Sequence, residues 1–330
     1  MRRILISCAA SLIFYAIAFG SILDRPLSLG FPQAQLDAKL ARGAAIDGRK
    51  LVILAGSNGP YSHRCETIEP ILGIPCVNAG VAVGIGLDYL FTRWKSLLHP
   101  GDIVYLPLEE AQYTRGRLAS RLGPDAAIMA RHDHATLLAL PPARWIAALF
   151  AFDLRAGVLS LIETALVANS FHDPRANAIG TTNAWGDHVG HTLALALASR
   201  AVLAATTPIH ATADNVQTQE GGRHVAEFLD WARIKRVRAI GGLPTGFDDA
   251  PMPEATVAAI RTLFEAHGAR FLELPNRGRY PRLDFFDTAD HLNEPAQIAH
   301  SILIGSSMRA ILMEISELPS IGVAARTPPP

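Results

Sequence analysis

Residues 50–59 read KLVILAGSNG, an apolar run that ends in a glycine-serine turn. A short apolar run bounded by turn residues is typical of a strand that is buried on both faces of a parallel sheet. Four similar runs follow, at residues 75–80, 101–107, 236–241 and 269–274. Helical patterns lie between them, for example in residues 84–97 and 254–267. Strands that alternate with helices predict an α/β fold, with a parallel sheet covered on both faces.

The composition gives no sign of a nucleic-acid-binding protein. Thirty lysine and arginine residues balance thirty aspartate and glutamate residues, and charged residues make up 18% of the chain. A net charge near zero gives no electrostatic attraction to nucleic acid, so no such partner is expected. The sequence also has no Cys-x-x-Cys pair and no Cys/His cluster, so it predicts no metal site.

The N-terminus has the pattern of a membrane-targeting segment. Arg2 and Arg3 precede an uncharged, mainly apolar run from Ile4 to Leu23, about the length needed to cross a hydrocarbon core. The two arginines favour a cytoplasmic N-terminus, with the rest of the chain outside. We interpret residues 1–23 as an uncleaved signal anchor in the inner membrane, with the domain in the periplasm. A cleaved signal peptide is the alternative.

The remaining chain divides into three predicted regions. Residues 24–49 are expected to be a juxtamembrane connector, and residues 50–316 the α/β domain. Within that domain, residues 112–182 interrupt the alternation and predict a helical insertion that caps the site or lies on the membrane surface. Residues 317–330 end in three prolines and are predicted to be disordered.

Two of the three cysteines are close in sequence. Cys65 and Cys76 are separated by ten residues, and the third, Cys8, lies in the apolar N-terminal run. In an oxidising compartment Cys65 and Cys76 could form a disulfide, and two buried free thiols are the alternative.

A serine directly follows the first predicted strand. Ser57 therefore lies at the carboxyl edge of the sheet, where open α/β folds bind ligands. Gly56 lets the chain turn sharply, and backbone N–H groups beyond Ser57 can face a developing oxyanion. These features make Ser57 a candidate nucleophile.

The second candidate segment follows the last predicted strand. Residues 286–293 read FDTADHLN, with His291 near two aspartates, Asp287 and Asp290. An aspartate and a histidine on a loop at the sheet edge can form the acid and base part of a catalytic triad. The same stretch also fits a turn in which Asn293 caps the following helix, and this is compatible with catalysis.

Together these segments resemble the SGNH (GDSL-like) hydrolase superfamily, and in particular its membrane-anchored branch that accompanies exopolysaccharide and cell-envelope acylation. The matching segments, in order, are residues 55–58, 77–80, 101–109 and 286–293. The resemblance implies a flavodoxin-like sheet in a three-layer α/β/α sandwich. It also implies Ser57 as nucleophile, His291 as base and the N–H groups of Ser57 and Gly80 as an oxyanion hole.

The sequence departs from the family pattern at two positions. The family's third block supplies an asparagine to the oxyanion hole, whereas the matching stretch here has Glu109. A carboxylate would repel an oxyanion unless it is protonated or turned away, so Asn58 or Asn78 is the expected replacement donor. The usual Asp-x-x-His spacing would place the acid at Thr288. We therefore predict that Asp287, rather than Asp290, orients the histidine.

The resemblance implies acyl transfer through a serine ester outside the cytoplasm. The expected activity is O-acetyl transfer to an exopolysaccharide such as cellulose, with a membrane-bound O-acyltransferase as the donor partner. No cofactor is needed for this chemistry. A deacetylating esterase of the same fold is one alternative, and a non-catalytic scaffold of a polysaccharide secretion complex is another.

Three further segments are weaker candidates. Residues 132–134 read HDH, which could bind a metal but is more typical of a solvated loop. Residues 183–188, NAWGDH, fit either the lining of a substrate cleft or a helix start capped by Asp187. Residues 243–248 follow the fourth predicted strand and are expected at the edge of the site.

Overall fold

The computed structural model describes residues 1–23, 27–148 and 181–314, together with residues 158, 161, 162, 165, 166 and 169. Within these residues the chain forms seven short strands. They are β1 (Leu51–Ile53), β2 (Cys76–Asn78), β3 (Ile103–Leu106), β4 (Arg238–Gly242), β5 (Gly246–Phe247), β6 (Arg270–Leu272) and β7 (Arg279–Tyr280).

Five of these strands form the central sheet, in the spatial order β2-β1-β3-β4-β6. Every neighbouring pair is parallel; Val52, for example, lies opposite Val77 on one side and Val104 on the other. This is the strand order of flavodoxin-like folds. The predicted α/β class and parallel sheet are therefore confirmed. Strands β5 and β7 form a separate parallel pair.

Sixteen α-helices are bounded within the described residues, together with two 3-10 helices, Leu197–Ser199 and Arg282–Asp284. The first six are α1 (Arg2–Leu23), α2 (Leu27–Ala45), α3 (Asn58–Ser62), α4 (Cys65–Leu72), α5 (Leu87–Lys95) and α6 (Glu110–Thr114). The next five are α7 (Arg117–Arg121), α8 (Pro124–His132), α9 (His134–Ala139), α10 (Pro142–Ala148) and α11 (Leu193–Ala196). The last five are α12 (Arg200–Ala205), α13 (Ala213–Thr218), α14 (Glu220–Ile234), α15 (Glu254–Ala266) and α16 (Glu294–Glu314).

Alternate residues of the strands face the two helical layers. Val52 and Leu54 pack on one side of the sheet with residues of α2, α5, α14 and α15. Leu51 and Ile53 pack on the other side with residues of α4 and α16. All four side chains are fully buried. Because successive side chains of a strand point to opposite faces, apolar residues at every position require helices on both faces.

Helix α2 lies within the segment predicted as a connector, and it packs against the domain. Its residues Leu36 and Leu40 belong to the apolar core. The Nε atom of Arg42 donates a hydrogen bond to the carbonyl oxygen of Cys76, 3.1 Å away, on the outermost strand of the sheet. Helix α2 therefore covers the β2 edge, and part of the segment 24–49 belongs to the α/β unit.

Cys65 and Cys76 form a disulfide, with their Cα atoms 5.3 Å apart. Cys65 is the first residue of α4 and Cys76 the first of β2. The bond therefore joins α4, the second helix after the Ser57 turn, to the edge strand β2. Of the two alternatives left open by the sequence, the structure has the disulfide.

The terminal and inserted regions are described only in part. The predicted insertion, residues 112–182, contains most of α6 and all of α7 to α10; most of its residues beyond 148 lie outside the described set, as do residues 24–26 and the tail 317–330. The predicted anchor forms α1. None of the helices in the described part of the chain is both long enough and apolar enough to span a membrane.

Candidate functional site

The carboxyl ends of the central strands carry most of the residues singled out in the sequence. Strand β1 leads into Ser57, β2 into Gly80 and β3 into Glu109. In a parallel sheet these ends share one edge, where ligands bind. The loop 286–293 reaches the same edge, because its backbone is bound to α3, the helix that begins directly after Ser57.

Ser57 is half-buried, at the N-terminal end of α3, with helical backbone angles (φ −67°, ψ −23°). Its hydroxyl donates a hydrogen bond to the carboxyl oxygen Oε1 of Glu109, 3.1 Å from Oγ. Among the hydrogen bonds of the described residues, none joins Ser57 to His291. The hydroxyl therefore points toward Glu109 in this conformation.

Glu109 is buried beneath the Ser57 turn, with 3% of its surface exposed. Besides the Ser57 hydroxyl, its Oε1 accepts the backbone N–H of Asn58 at 2.9 Å. Burial raises the pKa of Glu109, and its hydrogen bonds with Ser57 and Asn58 oppose the rise. The carboxyl group therefore holds the Ser57 hydroxyl and the Asn58 N–H.

Gly56 makes this approach of Glu109 feasible. A Cβ atom at position 56 would lie 2.3 Å from Glu109 Oε1, well inside van der Waals contact. Only glycine leaves the space in which the carboxyl group reaches the turn. The position of the Glu109 carboxyl group thus depends on glycine at position 56.

His291 and Asp287 lie together in the C-terminal loop. His291 Nδ1 and Asp287 Oδ1 are 2.7 Å apart, and His291 is buried while Asp287 is partly exposed. A carboxylate on Nδ1 fixes the ring orientation and leaves Nε2 for chemistry. The structure thus brings together Asp287 and His291, the acid and the base predicted from the sequence.

Asp290 has a different position from Asp287. Its backbone carbonyl accepts the hydroxyls of Ser62 at 2.7 Å and Thr245 at 2.8 Å. Burial and the neighbouring charge of Glu109 raise the pKa of the Asp290 carboxyl to about 7. Asp290 is therefore a neighbour of Glu109 rather than the orienting acid of His291.

Ser62 joins helix α3 to the loop 286–293. In addition to its bond to the Asp290 carbonyl, its Oγ accepts the backbone N–H of Leu292 at 3.3 Å. Because Ser62 is the last residue of α3 and Leu292 follows His291, these bonds fix the two candidate segments relative to each other. No local sequence signal indicated this contact, since the partners are far apart along the chain.

Tyr61 stacks against His291 and fixes the plane of its ring. The two ring centroids are 4.1 Å apart with an interplanar angle of 10°. His188 also stacks on Tyr61, at 4.1 Å, and Phe286 lies nearby, at 6.1 Å between centroids. Burial raises the pKa of Tyr61 to about 12, and burial lowers the pKa of His188 to about 3. At neutral pH both rings are uncharged; Tyr61 is the packing surface for His291, and His188 packs on Tyr61.

Of the predicted oxyanion-hole residues, Gly80 lies at the Ser57 turn, whereas the side chains of Asn58 and Asn78 are buried within the fold. Gly80 packs on the Ser57 turn, because a Cβ atom there would lie 2.7 Å from the carbonyl oxygen of Gly56. Its N–H has a long contact, 3.4 Å, with Oδ1 of Asn78. The side chain of Asn58 is fully buried, and its amide donates to the Pro107 carbonyl at 2.7 Å.

The amide of Asn78 is also used within the fold. Its Nδ2 donates to the carbonyl oxygens of Gly59 and His63, both at 2.9 Å, and to Asp187 at 3.0 Å. Both asparagine amides therefore hold the backbone around the site. The backbone N–H groups of Ser57 and Gly80 are the better candidates for contact with an oxyanion.

Lys39 is a buried lysine next to Gly80. It was not among the site residues predicted from the sequence. Only 2% of it is exposed, and its Nζ donates to the carbonyl oxygen of Gly80. Burial lowers the pKa of Lys39 to about 7, although the charge of Asp187 opposes this. One signal was present: Leu36, Lys39 and Leu40 fall on one face of a helix, so the lysine lies in an apolar stripe.

The segment 183–188 contacts α4 and the ring of Tyr61 through Asp187 and His188. Asp187 is fully buried and accepts the N–H groups of Cys65 at 2.8 Å and Glu66 at 3.1 Å, so it caps α4 from a distant part of the chain. Its neighbour His188 stacks on Tyr61. The segment thus contacts the site, and Asp187 caps a helix that precedes it in sequence rather than the one that follows.

The remaining candidates have structural contacts. In 132–134, Asp133 caps α9 through the N–H of Thr136 at 3.2 Å and accepts the hydroxyl of Tyr89 at 3.1 Å. In 243–248, Thr245 holds the Asp290 carbonyl. Across the residues that the structure describes, no group of three or more His, Cys, Asp or Glu side chains could hold a metal ion.

Comparison of the chain with protein-family models, with curated proteins and with solved structures gives no match. The function proposed below is therefore based on the geometry of the site together with the patterns of the sequence.

Proposed function

We propose that the protein is an extracytoplasmic serine acyltransferase. Ser57 forms an acyl ester, and His291, oriented by Asp287, is the base of the reaction. The N–H groups of Ser57 and Gly80 stabilise the oxyanion. As the resemblance to the SGNH superfamily implies, the acyl group is acetyl and the acceptor is a hydroxyl of an exopolysaccharide such as cellulose.

One observation carries this proposal. The His291–Asp287 pair, with 2.7 Å between Nδ1 and Oδ1, is fixed to the helix that begins next to Ser57. Ser62 at the end of that helix binds the loop backbone on both sides of His291, at 2.7 and 3.3 Å. A nucleophile and an oriented base held at one sheet edge are the two parts that acyl transfer requires.

The proposed location is based on the N-terminal segment, and the proposed partner on the resemblance to the SGNH superfamily. A signal anchor would hold the site close to the outer face of the inner membrane, next to a nascent polymer and a membrane-bound O-acyltransferase that supplies the acyl group. The Cys65–Cys76 disulfide supports a location outside the cytoplasm, because disulfides persist in oxidising compartments.

Two other functions remain as alternatives. An esterase that removes acetyl groups would use the same residues and differ only in its acceptor, which is water. A non-catalytic scaffold of a secretion complex is favoured by a specific contact, the hydrogen bond from the Ser57 hydroxyl to Glu109 instead of His291.

An assay of acetyl transfer from an activated acetyl ester to a soluble cello-oligosaccharide distinguishes the acyltransferase, the esterase and the scaffold. The full chain in detergent should acetylate the oligosaccharide, as detected by mass spectrometry, and Ser57→Ala should not. Ser96→Ala is the matched control, since Ser96 is exposed and lies outside the site. Release of free acetate alone would favour the esterase. No reaction by the folded wild-type protein would favour the scaffold.

A further inference from the structure

The hydroxyl of the proposed nucleophile already has a proton acceptor. Ser57 Oγ lies 3.1 Å from Glu109 Oε1, within the range in which a general base can remove a proton. Since a carboxylate has no proton to give, the serine is the donor in this bond. The Ser57 proton is thus directed toward Glu109.

His291 is occupied in a different way. Its Nδ1 is bound to Asp287 at 2.7 Å, and one face of its ring is covered by Tyr61. The described hydrogen bonds include none from Ser57 to this ring. His291 is, however, close enough to Glu109 for its charge to act on that carboxyl group. Two proton-accepting groups therefore lie at one site, and only Glu109 contacts the nucleophile.

We propose that Glu109 is a catalytic residue that accepts the Ser57 proton, and that His291 exchanges protons with the leaving group and the acceptor. The inference rests on the proposed serine acyltransferase function and divides its acid and base steps between two residues. It assigns a role to the residue at which the sequence departs from the SGNH pattern.

The steps balance in protons and electrons. In the first half-reaction Oγ of Ser57 bonds to the acyl carbon and its proton passes to Glu109. The leaving group departs with its bonding electron pair and takes a proton from the His291 imidazolium. In the second, the acceptor hydroxyl bonds to the acyl carbon and gives its proton to His291. The carbon–Oγ bond breaks, and Oγ recovers its proton from Glu109.

The surroundings of Glu109 suit this role. Groups that act on its carboxyl are the Ser57 and Asn58 donors on one side, and His291 and Asp290 of the C-terminal loop. Burial raises the pKa of Glu109 and so strengthens it as a base. A base is most effective when its pKa lies near the working pH. The hydrogen bond from the Asn58 N–H to Oε1 keeps the carboxyl group in place while its protonation changes.

The test is the rate at which a fluorophosphonate modifies Ser57 in the full chain, followed by intact mass. Fluoride leaves without needing a proton, so this reagent depends on the base that serves Ser57 and less on His291. Glu109→Gln should lower the rate about 100-fold or more, the usual effect of losing a general base. His291→Ala should lower it less than Glu109→Gln. Glu265→Gln, at an exposed glutamate on α15, is the control and should match wild type.

The outcomes distinguish a failure of this inference alone from a failure of the proposed function. If Glu109→Gln reacts as fast as wild type or faster, Glu109 is not the base, and Ser57 catalysis can still hold. If the folded wild-type protein gives no adduct at Ser57, the inference and the proposed function both fail. Should Glu109→Gln not fold, Glu109→Asp withdraws the carboxyl group by about 1.5 Å. A rate within twofold of wild type in that variant would also overturn the inference.

Discussion

The buried lysine beside the Gly80 loop leads to a quantitative prediction about stability. Lys39 is charged in the unfolded chain up to its ordinary pKa of 10.5, whereas burial lowers its pKa in the folded protein to about 7. Between these values the unfolded state binds more protons than the folded state. The free energy of unfolding therefore rises with pH in this window. The part of the rise that is due to Lys39 is absent from a variant without the lysine.

The size of the effect follows from the pKa difference. One pKa unit corresponds to about 1.4 kcal/mol. Raising the pH from 7.5 to 9.5 should thus stabilise the wild-type protein by about 2 kcal/mol relative to Lys39→Met. Comparison with the variant cancels groups that titrate equally in both proteins. Urea unfolding followed by tryptophan fluorescence, with the disulfide intact, measures the difference at the two pH values.

A matched variant makes the result decisive. Lys235→Met removes a lysine that is exposed at the end of α14, so it should follow wild type at both pH values. Equal pH dependence of Lys39→Met and wild type would refute the reasoning, because it would mean that Lys39 titrates alike in the folded and unfolded states.

The other structural predictions use the same unfolding assay. Replacing Cys65 and Cys76 by serine should cost about 3 kcal/mol, and a loss under about 1 kcal/mol would contradict a disulfide that restrains the unfolded chain. Gly56→Ala forces a methyl group onto Glu109 and should destabilise by about 1–3 kcal/mol; unchanged stability would mean that the carboxyl group has another position. Asp187→Ala leaves buried N–H donors without an acceptor and should cost about 3 kcal/mol, whereas a neutral effect would contradict its role as a cap.

The fold was largely predictable because its signals are local. The run 50–55 contains β1 (Leu51–Ile53), and the helical pattern 84–97 contains α5 (Leu87–Lys95). Apolar runs without alternation indicated strands buried on both faces, and such strands occur in parallel sheets. The ends of each element were less well predicted, since short strands begin and end where tertiary hydrogen bonds do.

The candidate site was predictable in its members but not in its contacts. Strand ends in a parallel sheet meet at one edge, so Ser57 and the His291 loop could be expected there together. The orientation of the Ser57 hydroxyl could not be, because it depends on the space that Gly56 leaves for Glu109. From the sequence Glu109 was expected only to repel an oxyanion, whereas its carboxyl group accepts a hydrogen bond from the Ser57 hydroxyl.

Contacts between distant segments were the least predictable. Tyr61 and His291 stack at 4.1 Å, but nothing in either local sequence identifies the other as its partner. Helix α2 was predicted as part of a connector because it precedes the alternating pattern. Its contribution to the edge of the sheet depends on Arg42 and Lys39. Both donate to backbone carbonyl groups that no sequence pattern marks.

The proposed function requires that Ser57 is a working nucleophile, and covalent acetylation measures this without an acceptor. The full chain would be incubated with an activated acetyl ester, quenched in acid and analysed by intact mass and peptide mapping, with Ser57→Ala beside it. We expect one acetyl group on the wild-type protein, located on Ser57 and absent from the variant. A folded wild-type protein that stays unmodified at Ser57, or a variant that is acetylated equally, would contradict it.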